Sequence, residues 1–248
     1  TPFPEDAYTE GDDPYAFLPL AELPEAMKAV AFDTDADIAI VAAEAPGFYV
    51  FDAFVQSFDF VDVEDVGGFD AVAIGADGTA YLATTELGTI YAYDSLAGTV
   101  SPFGAFAANA LSVVVASDGS SSLVAVGDGG LIAGYAAADG TFSDLSLEGG
   151  APALFDVFPS GPNAVAVGDH GAMAVAGERQ PTRTADVIRA GAASPDGQLI
   201  LLVGEGGLVL RYEVASGAVS PMTAPVSKDF WDVAFADDGT ALIVGNDG

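Results

Sequence analysis

Short apolar runs alternate along this chain with tight polar turns, and one order recurs six times: apolar run, Asp/Gly turn, second apolar run, Gly-acid-x-Gly turn. The copies read AFDTDADIAIVA, AIGADGTAYLAT, VVASDGSSSLVAVGDGG, DVFPSGPNAVAVGDHG, AASPDGQLILLVGEGG and VAFADDGTALIVGNDG. Their first-turn residues Asp35, Asp77, Asp118, Ser160, Asp196 and Asp238 lie 42, 41, 42, 36 and 42 positions apart. A period near 40 with several short strands per period marks a radially repeated all-β fold.

Each unit divides into four strands. In the second they are expected at 71–75, 79–84, 89–94 and 99–105, separated by ADG, TELG and SLAG. Gly, Asp and Ser between short β-branched runs are hairpin signals. The pattern predicts a six-bladed β-propeller of four-stranded antiparallel blades, with units at about 25–65, 66–107, 108–149, 150–185, 186–226 and 227–248. The sixth unit reaches 248 after two strands, while YAFLPLAEL at 15–23 reads as one outer strand without a partner. An open sheet edge is an aggregation hazard, so the N-terminal segment is expected to close the last blade. The alternative is part of a seven-bladed ring. Residues 1–14, Pro-rich and acidic, read as a linker. The fourth unit is shortened, and its AMAVAGE lacks the aromatic that Tyr93, Tyr135 and Tyr212 supply elsewhere.

The stretch AASPDGQLILLVGEGGLVLRYEVASG resembles a unit of the WD-repeat and related propeller families. VGDGG, VGDHG, VGEGG and VGNDG are similar to the VG-x-x-G turns of propellers like the photosystem II assembly and stability factor. The resemblance spans about residues 25–248 and implies the fold and a habit of binding other proteins. No third strand ends in Trp-Asp, the sole Trp-Asp pair (Trp231-Asp232) sits on an inner strand, and the Gly-His pair is missing. The side-chain network of true WD repeats is therefore not expected.

Composition narrows the partners. Six Lys and Arg face 37 Asp and Glu, for a net charge of −31. Nucleic acid needs a cationic footprint to displace its counterions, and anionic membranes need the same. No apolar run approaches the ~18 residues that span a bilayer, since 199–210 is broken by Glu205 and three glycines. The positive mean hydropathy is that of sheets buried on both faces. There are no cysteines, so disulfides and thiolate metal sites are excluded.

Two rings of candidates follow from the topology. Seven residues before the first turn stand Lys28, Asp70, Leu111, Arg189 and Trp231, expected at the channel mouth. They would receive a small anion or a partner loop, or Lys28 and Arg189 would simply neutralise acids such as Asp70 and Asp232. The Gly-acid-x-Gly turns place Asp128, Asp169, Glu205 and Asn246 on the same face, with His170 and Asp247 beside them. Two-residue hairpin loops needing positive φ account for these residues; a cation or basic-partner site is the sharper alternative. Asp33, Asp35 and Asp37 alternate like a calcium loop, but the sixth position is Ile38 where an EF-hand needs Gly, although Glu44 fills the twelfth. Calcium is thus the one cofactor to consider. The single His170 has no nucleophile elbow to serve, and no glycine-rich loop opens a helix.

The expectation is a non-enzymatic protein-binding or assembly module, exported or surface-bound (extracellular, cell-surface or periplasmic), with cationic protein partners and a larger assembly through the unfinished blade. The alternatives are a carboxylate-based carbohydrate hydrolase or lyase and a structural subunit of an extracellular polymer. Spread evenly, the net charges lie roughly 18 Å apart, beyond the Debye length of about 8 Å in saline but within the ~30 Å of 0.01 M salt. The melting temperature should accordingly fall on dialysis below roughly 10 mM salt; a flat salt profile in scanning calorimetry would refute this.

Overall fold

The computed structural model describes residues 23–33, 36–75, 77–115, 121–136, 140–224, 226–236 and 239–246. These form five four-stranded sheets and one two-stranded sheet, every pairing antiparallel between consecutive strands. Blade 1 holds β1 (Met27–Asp33), β2 (Ile38–Ala43), β3 (Gly47–Asp52) and β4 (Ser57–Asp62). Blade 2 holds β5 (Ala71–Ile74), β6 (Ala80–Thr84), β7 (Thr89–Asp94) and β8 (Thr99–Gly104). Blade 3 holds β9 (Ala108–Val115), β10 (Ser121–Gly127), β11 (Ile132–Ala136) and β12 (Thr141–Asp144). Blade 4 has β13 (Leu154–Ser160), β14 (Asn163–Gly168), a three-residue β15 (Met173–Val175) and a two-residue β16 (Glu178–Arg179). Blade 5 holds β17 (Ile188–Ala193), β18 (Leu199–Gly204), β19 (Val209–Glu213) and β20 (Ala218–Pro221), and blade 6 has β21 (Phe230–Phe235) and β22 (Ala241–Gly245).

The protein is a six-sheet β-propeller. The innermost strands pack in succession, β1 on β5, then β9, β13, β17 and β21, and all six line one central channel. The core is a series of blade-to-blade layers. Ile40, Phe48, Phe69 and Leu82 fill the first, between blades 1 and 2, and Phe158, Ile200, Leu202 and Tyr212 fill that between blades 4 and 5. Both faces of a blade are therefore apolar, and β2, β6 and β18 are buried at nearly every position. Such strands lose polar alternation, which is why they read as QLILLVG rather than as an in–out pattern. The segments 1–14 and 15–22, together with Asp35, Asp118, Asp238 and Asp247, lie outside the described residues. Leu23, from the expected closing strand, is not in a strand and packs near Val41 and Tyr49.

The Gly-acid-x-Gly segments are tight hairpin turns with two successive residues at positive φ, as the sequence leads one to expect: Gly129 and Gly130 (67 and 74), His170 and Gly171 (51 and 66), Gly206 and Gly207 (67 and 81). Each closes on the carbonyl of its acid, from the Leu131 N–H to Asp128 (3.3 Å), Ala172 to Asp169 (3.0 Å) and Leu208 to Glu205 (3.2 Å). Two different demands select the glycines of each segment. The first is extended, and a Cβ there would collide with a carbonyl oxygen just ahead of the blade's own inner strand: Ala107 for Gly127, Ala153 for Gly168, Val187 for Gly204 and Asp229 for Gly245. The next residue clamps that approach with its N–H, as Asp169 does to Ala153 (2.9 Å), Glu205 to Val187 (3.1 Å) and Asn246 to Asp229 (2.9 Å). The last glycine has positive φ, and the connector to the following blade crosses it, so that a Cβ would strike Leu147 and Ala151 at Gly130 and the Val226 carbonyl at Gly207. Three chain segments thus meet at one turn.

Those two demands separate by mutation. Gly204→Ala, blocked by backbone, should cost roughly 2–4 kcal/mol. Gly206→Ala, at φ 67 with open space around its Cβ, should cost about 1 kcal/mol. Urea denaturation of the two variants gives the comparison.

Candidate functional site at the channel mouth

Inner strands enter the channel through β-bulges. In β1 the pairing runs Met27 to Ala43 and then Ala29 to Ala42, leaving Lys28 without a cross-strand position. The same skip leaves Asn109 in β9, Phe155 in β13, Arg189 in β17 and Trp231 in β21. A bulge re-aims its extra residue, and with Asp70 of blade 2 these side chains form a ring around a cavity of about 520 Å³. Counting seven residues back from the first turn points to Leu111 in the third unit. The bulge there instead presents Asn109, while Leu111 is 8% exposed and lines the channel deeper along β9.

Five of the six ring residues are tied to the second turn of their own blade. Lys28 pairs with Glu44 and Arg189 with Glu205. Asp70 accepts from the Thr85 N–H (2.9 Å) and hydroxyl (2.6 Å). Asn109 donates to Asp128 (3.0 Å), and the Trp231 indole N–H donates to Asn246 (2.7 Å). The two candidate rings are consequently one structure. Lys28 and Arg189 pair directly with Glu44 and Glu205, while the Asp70 charge adds a weaker pull on Lys28. The Glu44 carboxylate, by hydrogen bond and charge, holds the Lys28 ammonium above its usual range. Blade 4 departs from the pattern: His170 sits at φ 51 with Nδ1 2.8 Å from Asp169 Oδ2.

Arg189 carries the densest contacts. Its guanidinium lies 5.5 Å from the Phe155 ring centroid and 4.9 Å from that of Trp231, joining blades 4, 5 and 6. Each cation–π contact is worth about 0.5–1 kcal/mol when exposed and ~2 when desolvated. Its Nε is buried without a hydrogen-bond partner, so the rings take the place of water there. Trp231 remains 48% exposed.

Below the ring, Asp156 faces the channel and its Oδ2 accepts the Gly191 N–H of the next blade at 3.0 Å. Burial of the carboxylate pushes its pKa up to about 6; Asp232 raises it further, while hydrogen bonds from Gly191 and Val157 oppose the shift. Sequence reasoning passes over Asn109, Phe155 and Asp156. Asn109 and Phe155 owe their place to the bulge where connector meets inner strand in five of the six blades, an event with no signature in the sequence.

The candidate calcium loop is divided. Asp33 Oδ1 accepts the Ala36 N–H at 3.2 Å, Asp37 takes φ 53, and Asp35 is outside the described residues. Among the described residues no group of three or more His, Cys, Asp or Glu could hold a metal ion, and no helix is long and apolar enough to cross a membrane.

No protein-family model and no curated protein sequence matches this chain. Solved structures do. Kuenenia stuttgartiensis hydrazine synthase is 16% identical with a TM-score of 0.67, over 95% of this chain and 76% of that one. The WD40 repeats of RRP9 are 12% identical at TM-score 0.69, over 86% and 71%. U3-55K matches at 12% and 0.69, over 86% and 72%. At such identities the likeness shows the propeller fold.

Asp156 makes stability pH-dependent. Its folded pKa of about 6 lies above the ordinary 3.8, so the folded chain holds a proton that the unfolded chain has lost. The stability from that proton is complete below about pH 4 and is lost as pH rises through 6. Asp156→Asn removes the loss: it should be more stable than the parent by roughly 1–3 kcal/mol at pH 7.5, with the gap closing towards pH 4. Thermal melts across that range check this.

Proposed function

We propose that this propeller is a non-enzymatic protein-binding or assembly module, working outside the cytoplasm, whose partner inserts a cationic loop into the channel mouth. The observation that carries the reading is the charge of a ring already held in place. Two cations, Lys28 and Arg189, and three carboxylates, Asp70, Asp156 and Asp232, line one cavity, and Glu44 and Glu205 beside it pair with the cations. Both cations are paired, so the uncompensated charge offered to a visitor is negative. The exposed Trp231 beside Arg189 supplies the flat, rigid surface typical of interface anchors. The acidic surface steers cationic partners and repels copies of the chain. The likeness to WD40 repeats supports a binding role, and the acidic, Pro-rich opening segment supports export.

A second reading, a carboxylate-based carbohydrate hydrolase or lyase, draws on one feature: a carboxyl protonated near pH 6 beside Asp232 in the same channel. Two carboxyls in one pocket, one of them holding its proton, suit acid–base work.

The test is capture of partners from the extracellular fraction of the producing cells, then titration of the captured partner against the chain. Trp231 is the only tryptophan, so its emission reports occupancy of the mouth directly. Saturable change is expected, weakened at least tenfold by Asp232→Lys with the far-UV spectrum intact. A partner that leaves Trp231 silent and ignores Asp232→Lys binds elsewhere and overturns the reading. Polysaccharide turnover by the parent chain, lost in Asp156→Asn, decides for the enzyme.

A further inference from the structure

Away from the mouth, blade 4 presents to blade 3 a face unlike that of its neighbours. On β18 and β19, blade 5 fills the layer towards blade 4 with Ile200, Leu202, Leu210 and Tyr212. Aligned on the second-strand glycines Gly204 and Gly168, the same four positions of blade 4 are Ala164, Ala166, Ala174 and Ala176. Blade 3 keeps the ring, because Tyr135 is its equivalent and packs on Phe103 of blade 2 with centroids 4.6 Å apart. Blade 2 keeps it too, with Tyr93 5.0 Å from Phe48 of blade 1. Only the layer between blades 3 and 4 has lost the tyrosine among the described positions of blades 2 to 5.

The loss leaves space. All four alanines line a cavity of about 190 Å³, whose opposite wall is Val114, Val124 and Ile132. Valines and one isoleucine do not reach across to compensate. Ser122 and Asn163 are its polar lining side chains, and no charged residue lines it. Asn163 and Ala176 are exposed and frame the opening. Apolar cavities of ~150 Å³ stay dry and admit a benzene-sized molecule, so this one has room for a single substituted ring.

We infer that the cleft between blades 3 and 4 is a binding site for a small uncharged phenol, whose ring takes the place that Tyr135 and Tyr212 occupy in the neighbouring blades and whose hydroxyl meets Ser122 or Asn163. The site is separate from the channel mouth and goes beyond the proposed partner-binding role. Its preference for neutral ligands follows from the absence of any charged lining group.

The probe is p-cresol, the tyrosine side chain capped by hydrogen, titrated into protein with ¹³C-labelled alanine methyl groups. Saturable ring-current shifts are expected at Ala164, Ala166 and Ala174 at millimolar p-cresol or below, together with a rise in melting temperature. Ala176→Tyr restores the missing ring and should weaken binding at least tenfold. Ala166→Leu fills the cavity from deeper in the wall and should do the same if the first variant folds poorly. Absence of saturable shifts at 5 mM p-cresol overturns the assignment. So do equal shifts in a folded, filled variant, or tighter binding of 4-methylcyclohexanol, which keeps the hydroxyl and lacks the aromatic ring.

Discussion

Every full layer of this protein depends on a sheet buried on both faces. A four-stranded blade cannot cover its own apolar surfaces, so each needs neighbours on both sides, and stacking around one axis gives blades 2 to 5 such neighbours. Chemistry is thereby pushed to the strand ends. Within the strands, side chains such as Ile40, Leu82, Ile200 and Leu202 are fully enclosed, and polar groups appear where strands enter, turn or leave.

The channel mouth shows how that restriction is used. A regular inner strand would turn alternate side chains into its neighbours' faces. The bulges at Lys28, Asn109, Phe155, Arg189 and Trp231 break that alternation once in each of five blades. The residue released from pairing is then fastened to the second turn, except in blade 4, where Phe155 stacks on Arg189 instead. The mouth is rigid because it is built from the ends of rigid elements, and it holds an energetically costly carboxyl, Asp156, that packing alone does not require.

Much of this was legible in the chain. The forty-residue period and the turn residues identify the architecture, and the missing aromatic of AMAVAGE marks the blade that departs from the rest. The strand limits of blade 2 fall within a residue or so of those expected. What escaped is tied to one-residue events. A bulge changes no composition, so counting from the first turn selects Leu111 when Asn109 is presented, and gives no position at all for Phe155 in the shortened unit. VGDGG reads correctly as a hairpin turn, but the connector that crosses it becomes visible only when three distant segments are brought together. The direct ion-pair partners escaped for the same reason: Glu44 and Glu205 follow second strands, and only the folded blade returns them to Lys28 and Arg189.

The turn where three segments cross has a bearing on how such a molecule changes over time. Its architecture is carried by glycines and main-chain hydrogen bonds, and the acid position between them is left free to vary. Glu44, Thr85, Asp128, Glu205 and Asn246 each answer a different ring residue in the same blade. The mouth is thus built largely from blade-contained pairs, such as Lys28 with Glu44, to which Arg189 adds contacts across blades 4, 5 and 6. Exchanging blade 1 would rewrite one sector of the mouth alone, whereas blades 4, 5 and 6, tied through Arg189, would have to change together.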